Sequence, residues 1–458
     1  MGVRHEFNNG WNSPAGLASN FVFGPTHALV TQPVVGTSVY SQNNAKALIG
    51  PRVGLAWAPF GGSKTAIHAG FGIYYEQLDY IGSCCDAAPL GSFNQKVVVS
   101  PATFPILLTP GEPIPGAKIS PSGIQPDLKM PTVQQYSLRI DQALSSNTVL
   151  TVGYVGEHGY HLLNTADVNA AIPTILPNGS KFFPPKSPRA NPNLGNARYE
   201  LSNANSNYNG LQVDLRQRLS HWIQFRVNYT FQKSLDIHSA SFLANAGVGG
   251  STTIMDPQNP KLDWGRSNFD IHNRLSGNFS YELPFGRGRT LLAKASGLAE
   301  ALVGGWQWNG ILSAQSGFPF TPLVGFNQSG NGDSRAPDRV SLAPGFSGPL
   351  VPGTQQRWFD PAAFALPPAG TYGNAGRDIL EGPGLMGFDS SLFKNFRIHE
   401  RAGVQFRAEV FNLLNRANFG LPLITTFTSS GAVSPSAGLI NYTATSSRQI
   451  QLGLKMTW

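Results

Sequence analysis

The chain has 458 residues and 33 Lys and Arg against 25 Asp and Glu, a formal charge of +8. Only 13% of its residues are charged, against about a quarter in soluble domains, while glycine (51), proline (35) and aromatics (11%) are plentiful. No apolar run reaches the roughly 18 residues of a spanning helix, which excludes a helical membrane protein, and the scattered charge, without basic runs interleaved with aromatics, argues against nucleic-acid binding.

In chain order, the first segment already alternates: Arg4 and Glu6 oppose Val3, His5 and Phe7, as in a strand. These first residues carry no basic stretch, apolar core or small-residue cleavage site and are no signal peptide. The expectation is the tail of a longer protein. Val53, Leu55 and Trp57 share the next apolar face, and Ile67, Ala69, Phe71 and Ile73 the one after. Cys84 and Cys85 are adjacent in a Gly/Ser/Asp-rich loop, which supplies neither a disulfide framework nor metal-ligand spacing; a strained vicinal bridge and two thiols both stay open.

Tyr136, Leu138 and Ile140 oppose Arg139 and Asp141, and Leu150, Val152 and Tyr154 follow a Ser145–Asn147 turn. Leu211, Val213, Leu215 and Leu219 oppose Asp214, Arg216 and Arg218; Ile223, Phe225, Val227, Tyr229 and Phe231 oppose Arg226. Leu275, Phe279 and Tyr281 oppose Asn278 and Glu282, then Trp306, Trp308 and Leu312 follow. Phe388, Leu392 and Phe396 run beside Arg397, and Val404, Phe406, Ala408 and Val410 oppose Arg407 and Glu409. The last strand sets Ile450, Leu452, Leu454, Met456 and Trp458 against Gln449, Gln451, Gly453, Lys455 and Thr457. About twelve strands result, several near the 9–11 residues a tilted membrane strand needs.

Short connections at 59–63, 144–147, 219–222 and 399–403 alternate with long ones near 77–130, 156–209, 234–273, 316–385 and 412–446. Bacterial barrels place short turns in the periplasm and long loops outside. A chain ending on an aromatic at the periplasmic interface needs a long loop before its last strand, as here. The connection 285–305 has helical spacing (Leu291, Ala295, Leu298, Leu302) and is expected to be a short amphipathic helix at the inner rim, with an ordinary packed helix as the equal alternative. The Pro/Asn tract 172–196 is expected to be a mobile surface loop.

The fold expectation is all-β: an antiparallel transmembrane β-barrel with about twelve strands present, an incomplete half-barrel with long extracellular loops and short periplasmic turns. A smaller closed barrel is the alternative, decided by whether the first strand pairs with the last. Candidate lumen-facing polar residues are Asp214, Arg216, Arg218, Arg226, Glu282, Arg397, Arg407 and Glu409; Leu454, Met456 and Trp458 form the membrane-insertion signature.

No enzyme is expected, and no catalytic, cofactor or metal residues are assigned. Gly382–Gly387 matches G-x-G-x-x-G but precedes a strand, so it is a loop bend. His158 and His161 lack further ligands, and Asn331, Asp333 and Asp338 lack the carboxylate spacing and terminal Glu of a calcium loop. Asp214 and Glu282 are best explained as partners of the arginines.

An ordered set of segments resembles the carboxyl-terminal barrel of the Oar-like TonB-dependent transporters. It comprises Pro51–Trp57, Thr132–Leu138, Tyr208–Val213, Asp263–Ser267, Gly305–Trp308 and Trp358–Phe364 with Gly373–Arg377. Gly382–Gly384 with Ser391–Phe396, and Glu409–Asn412 with Asn415–Phe419, complete it. The resemblance implies a Gram-negative outer-membrane protein whose parent has an export signal, a regulatory-like domain, a plug contacting TonB and a barrel of about 22 strands. It implies energised uptake of a glycan, peptide or metal chelate by that parent, with residues 1–458 as the later part of the barrel and no plug. Implied partners are outer-membrane lipid, the barrel-assembly machinery through the last strand, and the missing half and TonB only through the parent. An adhesion barrel, a non-functional fragment and a soluble exported β-sandwich or propeller are the competing expectations.

Overall fold

The structure, a computed structural model, describes residues 1–62, 64–76, 97–98, 117–220, 222–239, 254–333, 338–397 and 403–458. Twelve strands follow one another in a single antiparallel path in which each pairs with its neighbours in sequence. They are β1 (Gly2–Glu6), β2 (Leu48–Trp57), β3 (Thr65–Tyr75), β4 (Thr132–Ala143), β5 (Thr148–Asp167) and β6 (Arg198–Ser220). The path continues through β7 (Ile223–Asp236), β8 (Asn273–Glu282), β9 (Trp306–Gln315), β10 (Leu385–Arg397), β11 (Gly403–Phe411) and β12 (Gln449–Thr457). Two short strands bring the sheet to fourteen: Ser122–Ile124 parallel to the start of β6, and Gly265–Arg266 beside the end of β7.

Cross-strand register keeps one face apolar from edge to edge. Leu55 pairs with Ala69, Ala69 with Leu138, Leu138 with Tyr154, Tyr154 with Leu211 and Leu211 with Phe231. Farther along, Tyr281 meets Trp308, Trp308 meets Leu392, Leu392 meets Ala408, and Ala408 meets Leu452. Many of these side chains are solvent-exposed rather than packed: Leu55 is 56% exposed, Leu138 48% and Leu452 67%. A broad exposed apolar band on a period-two sheet is what lipid, and not water, accommodates.

The sheet does not close. Among the described residues β1 pairs only with β2 and β12 only with β11, so an open antiparallel sheet and not the small closed barrel is observed. Turn chemistry sets the short connections: between β4 and β5 the Ser145 hydroxyl accepts from the Asn147 and Thr148 amides at 3.2 and 3.1 Å, a tight side-chain-stabilised turn.

The buried cores lie at the opposite end. β5 and β6, at 20 and 23 residues, extend past their neighbours into the long loops. Around their tips Phe21, Leu29, Ala166, Leu194, Tyr199, Ile237 and Ile254 form one cluster. Phe320, Val324, Val340, Phe359, Phe364, Leu380 and Phe427 form a second, and Leu48, Ile124, Leu128 and Met130 a third. The loops therefore build a packed cap.

Several expectations need correction. The long connection expected at 156–209 is only 168–197, since β5 and β6 continue beyond Gly156 and Asn209. Residues 7–47 form a further long connection, containing the Ala18–Asn20 and Val34–Gly36 hairpin. The Pro/Asn tract is tied down, not loose: Leu194 is fully buried, and the Asn169 side chain donates to the carbonyls of Asn191 and Gly195 at 3.0 and 2.8 Å. The loop bend expected over Gly382–Gly387 is only partly observed: 382–384 lies outside any strand, but Leu385, Met386 and Gly387 already belong to β10. The chain passes close to Gly317 there; a Cβ on Gly317 would lie 1.8 Å from the Gly382 carbonyl oxygen, so only glycine fits. Cys84, Cys85 and the turn 398–402 lie outside the described residues.

Candidate functional site

Alternation that turns one set of side chains to lipid turns the other to the polar face. Where β3 to β7 approach their short turns, this face forms an open recess of about 670 Å³ lined by Lys64, Arg139, Asp141, Asp214, Arg216, Arg218 and Arg226. Five cations face two carboxylates there. Arg139 contacts Asp141 at 2.9 Å and Arg226 contacts Asp214 at 2.6 Å, while Thr151 donates to Asp141 at 2.5 Å and His68 lies 3.5 Å from it.

Both carboxylates are thus occupied, and Arg216 and Arg218 make no ion pair among the described residues. Arg216 stands directly opposite Arg226 in the β6–β7 register. Like charges directly opposite are unfavourable, and this pair is tolerable only against water or an anion. The recess is chemically an anion-attracting wall.

Of the sequence-derived candidates, Asp214, Arg216, Arg218 and Arg226 come together. Glu282 lies on β8 and is bound instead by Arg289 at 2.8 Å, whose guanidinium stacks 3.7 Å from the Trp222 ring centroid. Arg407 donates to Gln405 at 2.6 Å and lies over Phe393, and Glu409 sits between Ser391 and Gln451 in register. Arg397 ends β10, and its side chain lies outside the described residues. Leu454 and Met456 stand exposed on the apolar face of β12, and Trp458 follows it, 96% exposed.

The candidates omitted Lys64, His68, Arg139 and Asp141, although the same alternation marks the last three as polar-face residues. Also missed was the ionic frame of the cap. Arg377 binds Asp236, Arg189 binds Asp167 at 3.1 Å, Arg266 binds Asp270 at 2.8 Å and Lys181 binds Asp256 at 2.7 Å. Burial pushes the Asp338 and Asp378 carboxyls up to about 6 each, against the lowering effect of Ser329 on the first and of Arg377 on the second. Burial also raises Asp167 and Asp263. Asp338 accepts from the Ser329 amide and hydroxyl at 2.5 and 3.0 Å, so it braces its own loop.

Comparison with known families settles the class. The family model described as outer membrane beta barrel domain matches residues 1–451. The chain belongs to the outer membrane beta barrel domain family. This outer membrane barrel protein therefore resides in the outer membrane of a Gram-negative bacterium, its apolar band against lipid and, by the rule for such barrels, its long loops outside. No curated protein matches it.

Similar solved structures include the outer membrane transporter YddB from Escherichia coli (11% identity, TM-score 0.46, 90% of this chain and 41% of that one). The siderophore receptor PirA (11%, 0.42, 91% and 42%) and the ferric preacinetobactin receptor BauA (12%, 0.41, 93% and 39%), both from Acinetobacter baumannii, are others. The chain thus spans about two fifths of the length of these chains. The assignment rests on the family match alone.

Proposed function

We propose that this outer membrane barrel protein is the barrel wall of an Oar-like TonB-dependent transporter that takes up a large anionic ligand, such as an acidic glycan, a peptide or a metal chelate, without catalysing a reaction. The observation that carries the reading is the half-compensated Arg216–Arg226 juxtaposition within a polar wall, beneath a cap of packed loops. A cleft lined by one sign of charge concentrates ligands of the other. The similar solved chains bear the names of transporters and siderophore receptors, which agrees in kind. In this reading further strands outside residues 1–458 complete the wall at the two open edges, since unpaired backbone in lipid costs several kcal/mol per group. Coupling to TonB belongs to the assembled transporter.

The rival is a surface barrel that displays its cap for adhesion, favoured by the three packed clusters that fix the loops. A deletion strain of the native host separates them. Slow growth on one class of large substrate, reproduced in the parent strain by a protonophore and in an Arg216→Gln/Arg218→Gln strain, supports uptake. Normal growth on every class with lost attachment to surfaces sinks it in favour of adhesion.

A further inference from the structure

The connection between β8 and β9 carries residues that neither the recess nor the cap uses. It contains helix α1 (Gly297–Val303), none of whose residues is buried. Leu298 and Leu302, one turn apart on the same helix face, are 84% and 72% exposed, and Leu291 and Leu292 before the helix are 48% and 59% exposed. The helix is therefore not packed on the sheet.

Its end is nonetheless held to the apolar side. The Trp306 indole donates to the Leu302 carbonyl at 2.9 Å, and the Lys394 ammonium donates to the Gly304 carbonyl. Trp306 and Lys394 are register partners on the lipid-facing side of β9 and β10. The carboxyl end of the helix, with Leu302, thus stands beside the apolar band. The same connection carries Arg287, Arg289 and Lys294 against one acid, Glu300, and Glu300 is occupied by the Arg287 amide at 2.6 Å. Arg289 is committed to Glu282, which leaves Arg287 and Lys294 exposed.

We infer that this connection is an interfacial anchor for anionic phospholipid: Leu298 and Leu302 enter the acyl region of the leaflet at the short-turn end, and Arg287 and Lys294 meet its headgroup phosphates. An apolar helix face beside basic residues is the pattern of a segment lying in an interface; here the basic residues, Arg287 and Lys294, stand in the stretch that leads into the helix. Charge complementarity selects an anionic leaflet, since each Lys or Arg near such a surface adds attraction that falls off within a Debye length. The anchor fixes the depth of the β7–β9 rim.

The inference rests on membrane insertion of the sheet, and the test reports that separately. The full chain, with Cys84→Ser and Cys85→Ser, receives one cysteine at Leu298, Leu302, Ser296 or Leu452 and an environment-sensitive fluorophore. It is reconstituted in phosphatidylglycerol-containing or purely phosphatidylcholine vesicles with brominated acyl chains. With phosphatidylglycerol, positions 298 and 302 should be quenched as position 452 is, while 296 reads water. Purely phosphatidylcholine vesicles, or Arg287→Gln/Lys294→Gln, should weaken quenching at 298 and 302 roughly tenfold. Water-like signals at 298 and 302 beside a quenched 452 overturn the anchor; quenching indifferent to headgroup charge overturns the phosphate contact. A water-like 452 removes the inserted sheet, and the anchor with it.

Discussion

Arg216 and Arg226 oppose each other across β6 and β7, and only Arg226 has a carboxylate. Arg216→Gln should therefore stabilise the sheet by up to about 0.5 kcal/mol at low salt, with the gain vanishing in high salt as screening removes the repulsion. Urea unfolding in detergent micelles at two ionic strengths measures this, and an unchanged low-salt midpoint would mean that water already screens the pair. Lys394 poses the opposite case. It is 3% exposed among Trp306, Phe396, Leu392 and Phe406, and it holds the buried Gly304 carbonyl. Lys394→Met leaves that carbonyl unpaired and should cost about 1–3 kcal/mol, read as a lower urea midpoint than for Lys394→Arg. Alternation alone could not announce this role: position 394 is simply where an apolar residue belongs, and the Gly304 partner is 90 residues away.

At the level of elements, strands and loops obey different rules. A strand is legible because its two environments recur every second residue, so Leu211 to Phe231 could be placed on one face before any coordinates. Loop packing has no period. Asp236 and Arg377 are 141 residues apart in sequence, and nothing local in either marks the pairing. The same holds for Asn191, whose side-chain amide reaches the Leu29 carbonyl at 2.8 Å, which is why a polar tract that reads as loose is fixed. Buried carboxyls give the cap a pH response. Because Asp338 and Asp378 have folded values near 6, above the ordinary 3.8, the folded cap binds more protons than the unfolded loops between about pH 4 and 6. Cap stability should therefore fall as pH rises through that window and level off above it. Hydrogen exchange of residues 320–333 and 338–380, corrected for intrinsic rate, should show greater protection at pH 5 than at pH 7. Asp378→Asn should reduce the dependence and leave the part due to Asp338, and equal protection at both values in the unaltered protein would refute the assignment.

For the whole molecule, the decisive geometry is two free edges. Val3 on β1 and Leu452 on β12 belong to strands with one neighbour each among the described residues. The double variant Val3→Cys/Leu452→Cys, in a background without Cys84 and Cys85, should therefore form no intramolecular disulfide in membranes. An efficient bridge between positions 3 and 452 would show a closed twelve-stranded barrel instead. Closure was the point that patterning left open, because alternation fixes the face of each strand and says nothing of what lies beyond the last one.

The strictly sequential order of the strands has a kinetic consequence. β2–β3, β4–β5, β6–β7, β8–β9 and β10–β11 are each joined across the short-turn end, and their partners are near in the chain. Closing a short loop costs less entropy than closing a long one, and hairpins form in microseconds. Nascent chain should thus collapse first into five hairpins, each with one side apolar. The slow events are the joins between hairpins, each of which must close a loop of 30 residues or more. Misassembly of this protein should begin in its outward loops, and a chaperone that keeps those loops from packing wrongly would speed the completion of the sheet.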